Sequence, residues 1–329
     1  MDSITQGLLG AAVAQVIVRN GGPRVWLYGA VGGMAADLDI LIRSADPLVA
    51  LTYHRHFTHS LLFVPVGGVL SALPWVARAK HRAQAKTIVA ATTVGYATHA
   101  LLDAFTSYGT QLWWPLANTR VAWDWIAIVD PLFSVPLAIG VVLAARRLRA
   151  RPAALALAWC AVYMGLGGLQ HARAVNAAKQ LATDRGHASG PIEIEAFPHV
   201  LSNVVWRTTY RHDGRIYADW VRTPWFSAVQ PHEGESVARA TEASLPASVR
   251  DNPATLHAFR TFRWFARGWI AFDPNDPSAL GDLRYGAGLG SASSMWTLTL
   301  APDSEEPVAF SRHTNSGQLK ERWNAIWAE

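Results

Sequence analysis

Six His and Asp side chains in the first third of the chain have the types and spacing of a metal site. Ala36-Asp37-Leu38-Asp39 comes near the end of one apolar run, His54-Arg55-His56-Phe57-Thr58-His59-Ser60 stands at the mouth of another, and a third holds His99 and Asp103. Residues four apart share a helix face, so His99 and Asp103 point the same way. Imidazole mixed with carboxylate is a ligand set for zinc, iron or manganese, whereas all-oxygen sets suit calcium or magnesium. A cation would also neutralise carboxylates that are costly to bury unpaired. Asp37, Asp39, His54, His59, His99 and Asp103 are therefore the expected metal ligands, with zinc the first choice and manganese or iron next. Six donors exceed what one tetrahedral ion uses, so one or two ions fit the count. Two further residues are candidates for catalysis. Asp130, before Pro131, could orient or deprotonate a water, and the planar fork of Arg55 suits a substrate phosphate. His56 reads as a bystander, Asp2 as a helix N-cap, and Asp124 as interfacial.

Apolar runs must position these groups. Half of the 329 residues are apolar and 16% are charged, against about a quarter charged in ordinary domains. Crossing a bilayer takes roughly 20 mostly apolar residues. The runs 4–18, 25–42, 60–77, 87–105, 126–145 and 153–169 give an expected count of six membrane helices. Gly7, Gly10, Ala11, Ala12, Gly29, Gly32 and Gly33 would let these helices approach closely. The first run lacks a basic leader segment, so it reads as retained rather than cleaved.

Lys and Arg in short loops set orientation. Arg19 and Arg24, then Arg78, Lys80, Arg82 and Lys86, then Arg146, Arg147, Arg149 and Arg151 occupy alternate loops. The intervening loops hold only Arg43, Arg55 and Arg120. The rich side should be cytoplasmic, which places residues beyond the sixth run outside. By the helical rise, His99 then lies about 18 Å and Asp103 about 24 Å from the cytoplasmic end of its run. The six candidate ligands thus fall together in the outer half of the membrane, although the orientation came from Lys and Arg alone. The net charge of +5 follows from these loops, so nucleic acid is not an expected partner; membrane lipids are. The single cysteine, Cys160, leaves no disulfide framework and no Cys-based zinc site.

After about residue 190 the pattern changes. Val204–Arg211, a turn at His212-Asp213-Gly214, Ile216–Arg222, Thr261–Phe272 and Ser294–Leu300 read as strands and turns. The expected fold is an α-helical polytopic membrane domain over residues 1–170, a helical extension over 171–189, and a mainly β soluble domain over 190–329, extracytoplasmic.

The motifs themselves resemble the YdjM-like family of inner-membrane, metal-dependent hydrolases. The matching pieces are Met1-Asp2-Ser3-Ile4-Thr5-Gln6-Gly7-Leu8-Leu9-Gly10, the Asp37/Asp39 and His54–Ser60 segments, His99 through Thr106, Gly109-Thr110-Gln111-Leu112-Trp113-Trp114-Pro115 and Asp130-Pro131-Leu132. Arg263-Trp264-Phe265-Ala266-Arg267-Gly268 and Asp282-Leu283-Arg284-Tyr285-Gly286 extend the resemblance toward the C-terminus. It implies metal ligands drawn from the His and Asp positions. It also implies that Gln6 stands where many relatives have His, and His56 where Gly is common. The His-x-x-x-Asp spacing is similar, too, to that of zinc-dependent phospholipases C and nucleases. The function expected is therefore a metal-dependent hydrolase at the outer face of the inner membrane, acting on a phosphoester or lipid-like substrate. The alternatives are a metal or proton transporter, since intramembrane His and Asp also mark such pathways, and a non-catalytic envelope scaffold with a structural metal.

Overall fold

The computed structural model describes residues 1–18, 21–42, 44, 46–187, 190–304 and 306–312. Arg19 and Arg43, counted above for orientation, lie outside the described residues, as does the end of the β domain from residue 313. The chain divides into two units, residues 1–43 with 53–168 and residues 44–52 with 169–329.

The first unit is helical. Asp2 caps α1 (Ser3–Ile17) by accepting from the Thr5 amide at 2.9 Å, as its position before the apolar run implied. Next comes α2 (Val25–Ala35), which tightens into a 3₁₀ helix over Ala36–Leu41. After α3 (Pro47–Tyr53), part of which belongs to the second unit, come α4 (Val64–Val76), α5 (Ala85–Ala104) and α6 (Pro131–Arg147). Glycine lets α1, α2 and α5 pack backbone to backbone. A Cβ on Gly10 would stand 2.4 Å from the Gly29 carbonyl oxygen, one on Gly32 2.1 Å from that of Thr92, and one on Gly95 2.2 Å from that of Gly29. The close approach expected of the glycine-rich stretches is therefore present.

Each expected span overlaps an α-helix, but most of these helices are short. The last, α7 (Arg151–Asp184), runs for 34 residues and is the one described helix long and apolar enough to cross a membrane by itself. The stretch Pro47–His59 with Leu61–Val76, bent by 56°, would make a second span if read as one. The polar stretches explain the shortfall. The 3₁₀ segment that carries Asp37 and Asp39 ends α2 after 11 residues. In α5, Thr92, Thr93, Thr98, His99 and Asp103 dilute the apolar content. The sixth run and the expected extension as far as Asp184 form one uninterrupted helix, α7.

In the second unit, Ala174 of α7 packs with Ala196, Trp206 and Val221 of the first sheet. That sheet is antiparallel in the order β1 (Ile194–Pro198), β2 (Val205–His212), β3 (Arg215–Arg222), β4 (Gln230–Ala238). The β2–β3 hairpin turns at Asp213 and Gly214, both with positive φ (45° and 70°), which suits a tight two-residue turn. After α8 (Ala247–Asp251) and α9 (Pro253–Phe265), a second antiparallel sheet runs β5 (Ile270–Asp273), β6 (Asp276–Asp282), β7 (Trp296–Leu300), β8 (Val308–Arg312). Thr261–Phe272, expected as a strand, is instead the end of α9, a turn and the start of β5. Its aromatic residues fit strands by type. Phe259, Phe262 and Phe265 nevertheless recur at the helical period and are buried together, behind an Asn252 cap that accepts from the Ala254 amide at 2.9 Å.

Candidate metal centre

Three local structures deliver the site. The 3₁₀ segment after α2 carries Asp37 and Asp39. Residues 54–60 turn sharply, with Arg55 at φ 61°, a region that non-glycine residues seldom occupy, and a short 3₁₀ turn at Phe57–His59 presents His59. In α5, His99 and Asp103 stand one turn apart.

Asp37, His59, His99 and Asp103 converge, each offering a ligand atom within 4.8 Å of all the others. His99 Nε2 lies 3.3 Å from Asp37 Oδ1 and 3.4 Å from Asp103 Oδ2. His59 Nε2 lies 3.3 Å from Asp103 Oδ2 and 3.8 Å from Asp37 Oδ1. Four donors arranged tetrahedrally about 2.0–2.1 Å from a zinc-sized ion would stand about 3.3–3.4 Å from one another, so the spacing fits a cation at their centre. Hydrogen bonding fits as well. His59 Nε2, His99 Nε2 and Asp103 Oδ2 are buried without hydrogen-bond partners, and buried polar atoms seldom go unsatisfied.

The surrounding bonds aim these atoms. His99 Nδ1 meets the Gly33 carbonyl at 2.5 Å; because a carbonyl only accepts, Nδ1 carries a proton, and in the neutral ring Nε2 keeps its lone pair. Asp39 Oδ2 lies 3.4 Å from His59 Nδ1 and accepts from the Arg55 amide at 2.8 Å and from Thr58 Oγ1 at 3.2 Å. Its other oxygen is 2.9 Å from His54 Nδ1. Asp39 and His54 thus stand beside the four-residue group, where Asp39 can orient His59 as carboxylates commonly orient metal-bound imidazoles. His54 keeps 30% of its side chain exposed.

Arg55 is buried in the same place. Its Nε lies 3.2 Å from Asp103 Oδ2 and its Nη1 donates to Thr106 Oγ1 at 2.8 Å. Asp130 is engaged elsewhere: it caps α6 by accepting from the Leu132 amide at 3.0 Å, and the Tyr163 hydroxyl donates to it at 2.8 Å. His56 packs against Tyr53, Phe57 and Trp114. Asp124, expected at the interface, is buried.

Several contributors escaped the sequence reading. Gln6 Nε2 donates to Asp103 Oδ1 at 2.9 Å, and the Met1 amino group donates to the same oxygen. Ser3 Oγ donates to Asp37 Oδ2 at 2.5 Å, and the Tyr96 hydroxyl supports the His59 turn by donating to the Thr58 carbonyl at 2.7 Å. The signal available was helical spacing. Ser3 and Gln6 are three apart on the helix that Asp2 caps, so both fall on one face.

Of the four converging residues, Asp37 is the one that meets solvent. Its side chain is 22% exposed, whereas His59, His99 and Asp103 are sealed. The 106–125 loop packs down: the Gln111 amide donates to the Arg55 carbonyl at 3.1 Å, and Leu112 accepts from the Leu61 amide at 3.0 Å. Trp113 and Trp123 remain exposed, in keeping with an interfacial belt.

No curated protein and no solved structure matches the chain. The model of the YdjM inner membrane protein family matches residues 1–174. That stretch is more than half of the chain and contains every residue of the metal centre, so the protein belongs to the YdjM inner membrane protein family.

Proposed function

We propose that the protein is a polytopic, metal-dependent hydrolase of the inner membrane, acting at the outer face on a phosphoester or lipid-like substrate. The observation that carries this reading is the convergence of His59 Nε2, His99 Nε2, Asp103 Oδ2 and Asp37 Oδ1, three of which lack hydrogen-bond partners. These four residues would hold a single divalent ion, zinc being the first choice for two imidazoles and two carboxylates. When bound, such an ion supplies a Lewis acid for a phosphoryl or carbonyl oxygen and a lowered water pKa. The chain's own groups do the rest. Thr58 Oγ1, hydrogen-bonded to both Asp39 and His59 Nδ1, and Asp39 together fix the His59 ring, Gly33 fixes the tautomer of His99, and Arg55 offers a guanidinium beside Asp103 that suits a substrate oxyanion. Asp130 enters as the cap that sets the start of α6. The loops rich in Lys and Arg face the cytoplasm, and the β-rich unit lies outside.

One observation favours a second reading, the non-catalytic scaffold. Four protein donors close a tetrahedral shell, as in structural sites, whereas catalytic sites keep a position open. The partial exposure of Asp37 is what favours catalysis, because the most accessible ligand is the one that can yield to substrate. The test is to offer detergent-purified, metal-loaded protein phosphodiester, phosphomonoester, carboxylic ester and phospholipid substrates. Hydrolysis that a chelator abolishes and zinc restores is the expected result. A metal-loaded protein inert toward all four would assign the ion to structure. A reporter fused after the β-rich unit should be active only outside the cytoplasm, and cytoplasmic activity would reverse the orientation.

A further inference from the structure

The turn between α6 and α7 carries a feature that the metal centre does not use. Arg147 ends α6, Leu148 takes the left-handed conformation (φ 52°) that closes the helix, and Arg151 begins α7. This tight reversal gathers Arg147, Arg149 and Arg151 at one mouth of a groove of about 740 Å³ between the two helices. Ile139, Leu143, Leu155 and Trp159 line its length. At its floor the helices nearly touch, since a Cβ on Gly140 would come within 2.3 Å of that of Ala156. All three arginines are exposed, and no carboxylate among the described residues pairs with them.

We propose that this groove seats an anionic glycerophospholipid, with an acyl chain along the apolar walls and the head-group phosphate among Arg147, Arg149 and Arg151. Charge complementarity selects the occupant. Three unpaired guanidiniums at the end of an apolar channel call for a molecule that is a hydrocarbon along its length and anionic at one end. Guanidinium also pairs with phosphate oxygens two at a time. Basic pockets between membrane helices are where anionic head groups bind, and α7 is long and apolar enough to span the membrane in a protein of an inner-membrane family. The inference does not depend on whether the metal centre is catalytic.

The test offers purified protein mixed micelles holding equal parts of phosphatidylglycerol and phosphatidylcholine, then measures retained lipid by native mass spectrometry. The wild type is expected to retain phosphatidylglycerol in clear excess. Each arginine near an anionic lipid contributes about a fivefold factor in binding, so R147Q/R149Q/R151Q should lower that retention at least about tenfold. Because those substitutions also remove charge that sets topology, a second variant, I139W/L143W, fills the groove and leaves all three arginines in place; it too should lose the lipid. Equal retention of the two lipids by the wild type, or undiminished phosphatidylglycerol on the groove-filled variant, would overturn the proposal.

Discussion

Replacing Asp103 with asparagine should cost the protein its metal more completely than any other single change. Asp103 is fully buried, and its Oδ2 lies within 3.4 Å of both His59 Nε2 and His99 Nε2. The substitution removes the anionic donor common to both imidazoles and places an amide where a lone pair is needed. It also leaves Arg55 buried without its carboxylate, and breaking a buried ion pair costs on the order of 3–5 kcal/mol. A lower melting temperature should therefore accompany the lost affinity. D39N is the informative companion. Asp39 touches His59 through Nδ1, away from the centre, and losing such an orienting partner typically lowers metal affinity about 10–100-fold. Competition with a zinc chelator, read on the monodisperse fraction of each variant, should rank wild type, D39N and D103N in that order. Equal loss in both variants would place Asp39 among the ligands themselves.

The second large effect is expected at Gly95. A Cβ there would stand 2.2 Å from the Gly29 carbonyl oxygen and 2.9 Å from its carbon. Both are backbone atoms, which cannot swing aside as a side chain can. Overpacking of this kind costs about 1–3 kcal/mol or more. G95A must also push α5 away from α2, which strains the bond from His99 Nδ1 to the Gly33 carbonyl, so folding and metal affinity should fall together. G165A is the control: nothing lies within 4 Å of a Cβ at that position, and the change should be neutral or stabilising by up to about 1 kcal/mol from helix propensity. Thermal melts monitored by size-exclusion chromatography check both. A G95A protein as stable as the wild type would mean that α2 and α5 are not in this backbone contact.

The chemistry of the site was legible because ionisable residues within apolar runs are costly and therefore informative. Asp37, His59, His99 and Asp103 stood out by type and spacing, and the structure brings those four together. Asp39 is placed differently for a reason of helical geometry. In a 3₁₀ helix of three residues per turn, positions two apart point about 120° from each other, so Asp37 and Asp39 cannot both face one centre. An α-helix would separate them as well, since residues two apart do not face each other, so the two-residue spacing itself carried the distinction. Long-range partners were beyond reach for another reason. Nothing local links Asp130 to Tyr163 or Gln6 to Asp103, bonds that span 33 and 97 residues. Span lengths misled because an apolar run measures burial, whereas the helix stops wherever a 3₁₀ turn or a sharp bend delivers a functional residue.

The most direct test of the metal centre is the zinc content of the detergent-purified protein after chelator dialysis and zinc re-addition, measured beside H59A/H99A. The expected result is about one tightly held equivalent on the wild type, as a four-donor tetrahedral site implies, and none on a folded H59A/H99A protein. A wild type that holds no zinc, manganese or iron, or a double variant that holds as much as the wild type, would contradict the assignment of Asp37, His59, His99 and Asp103 as a metal site.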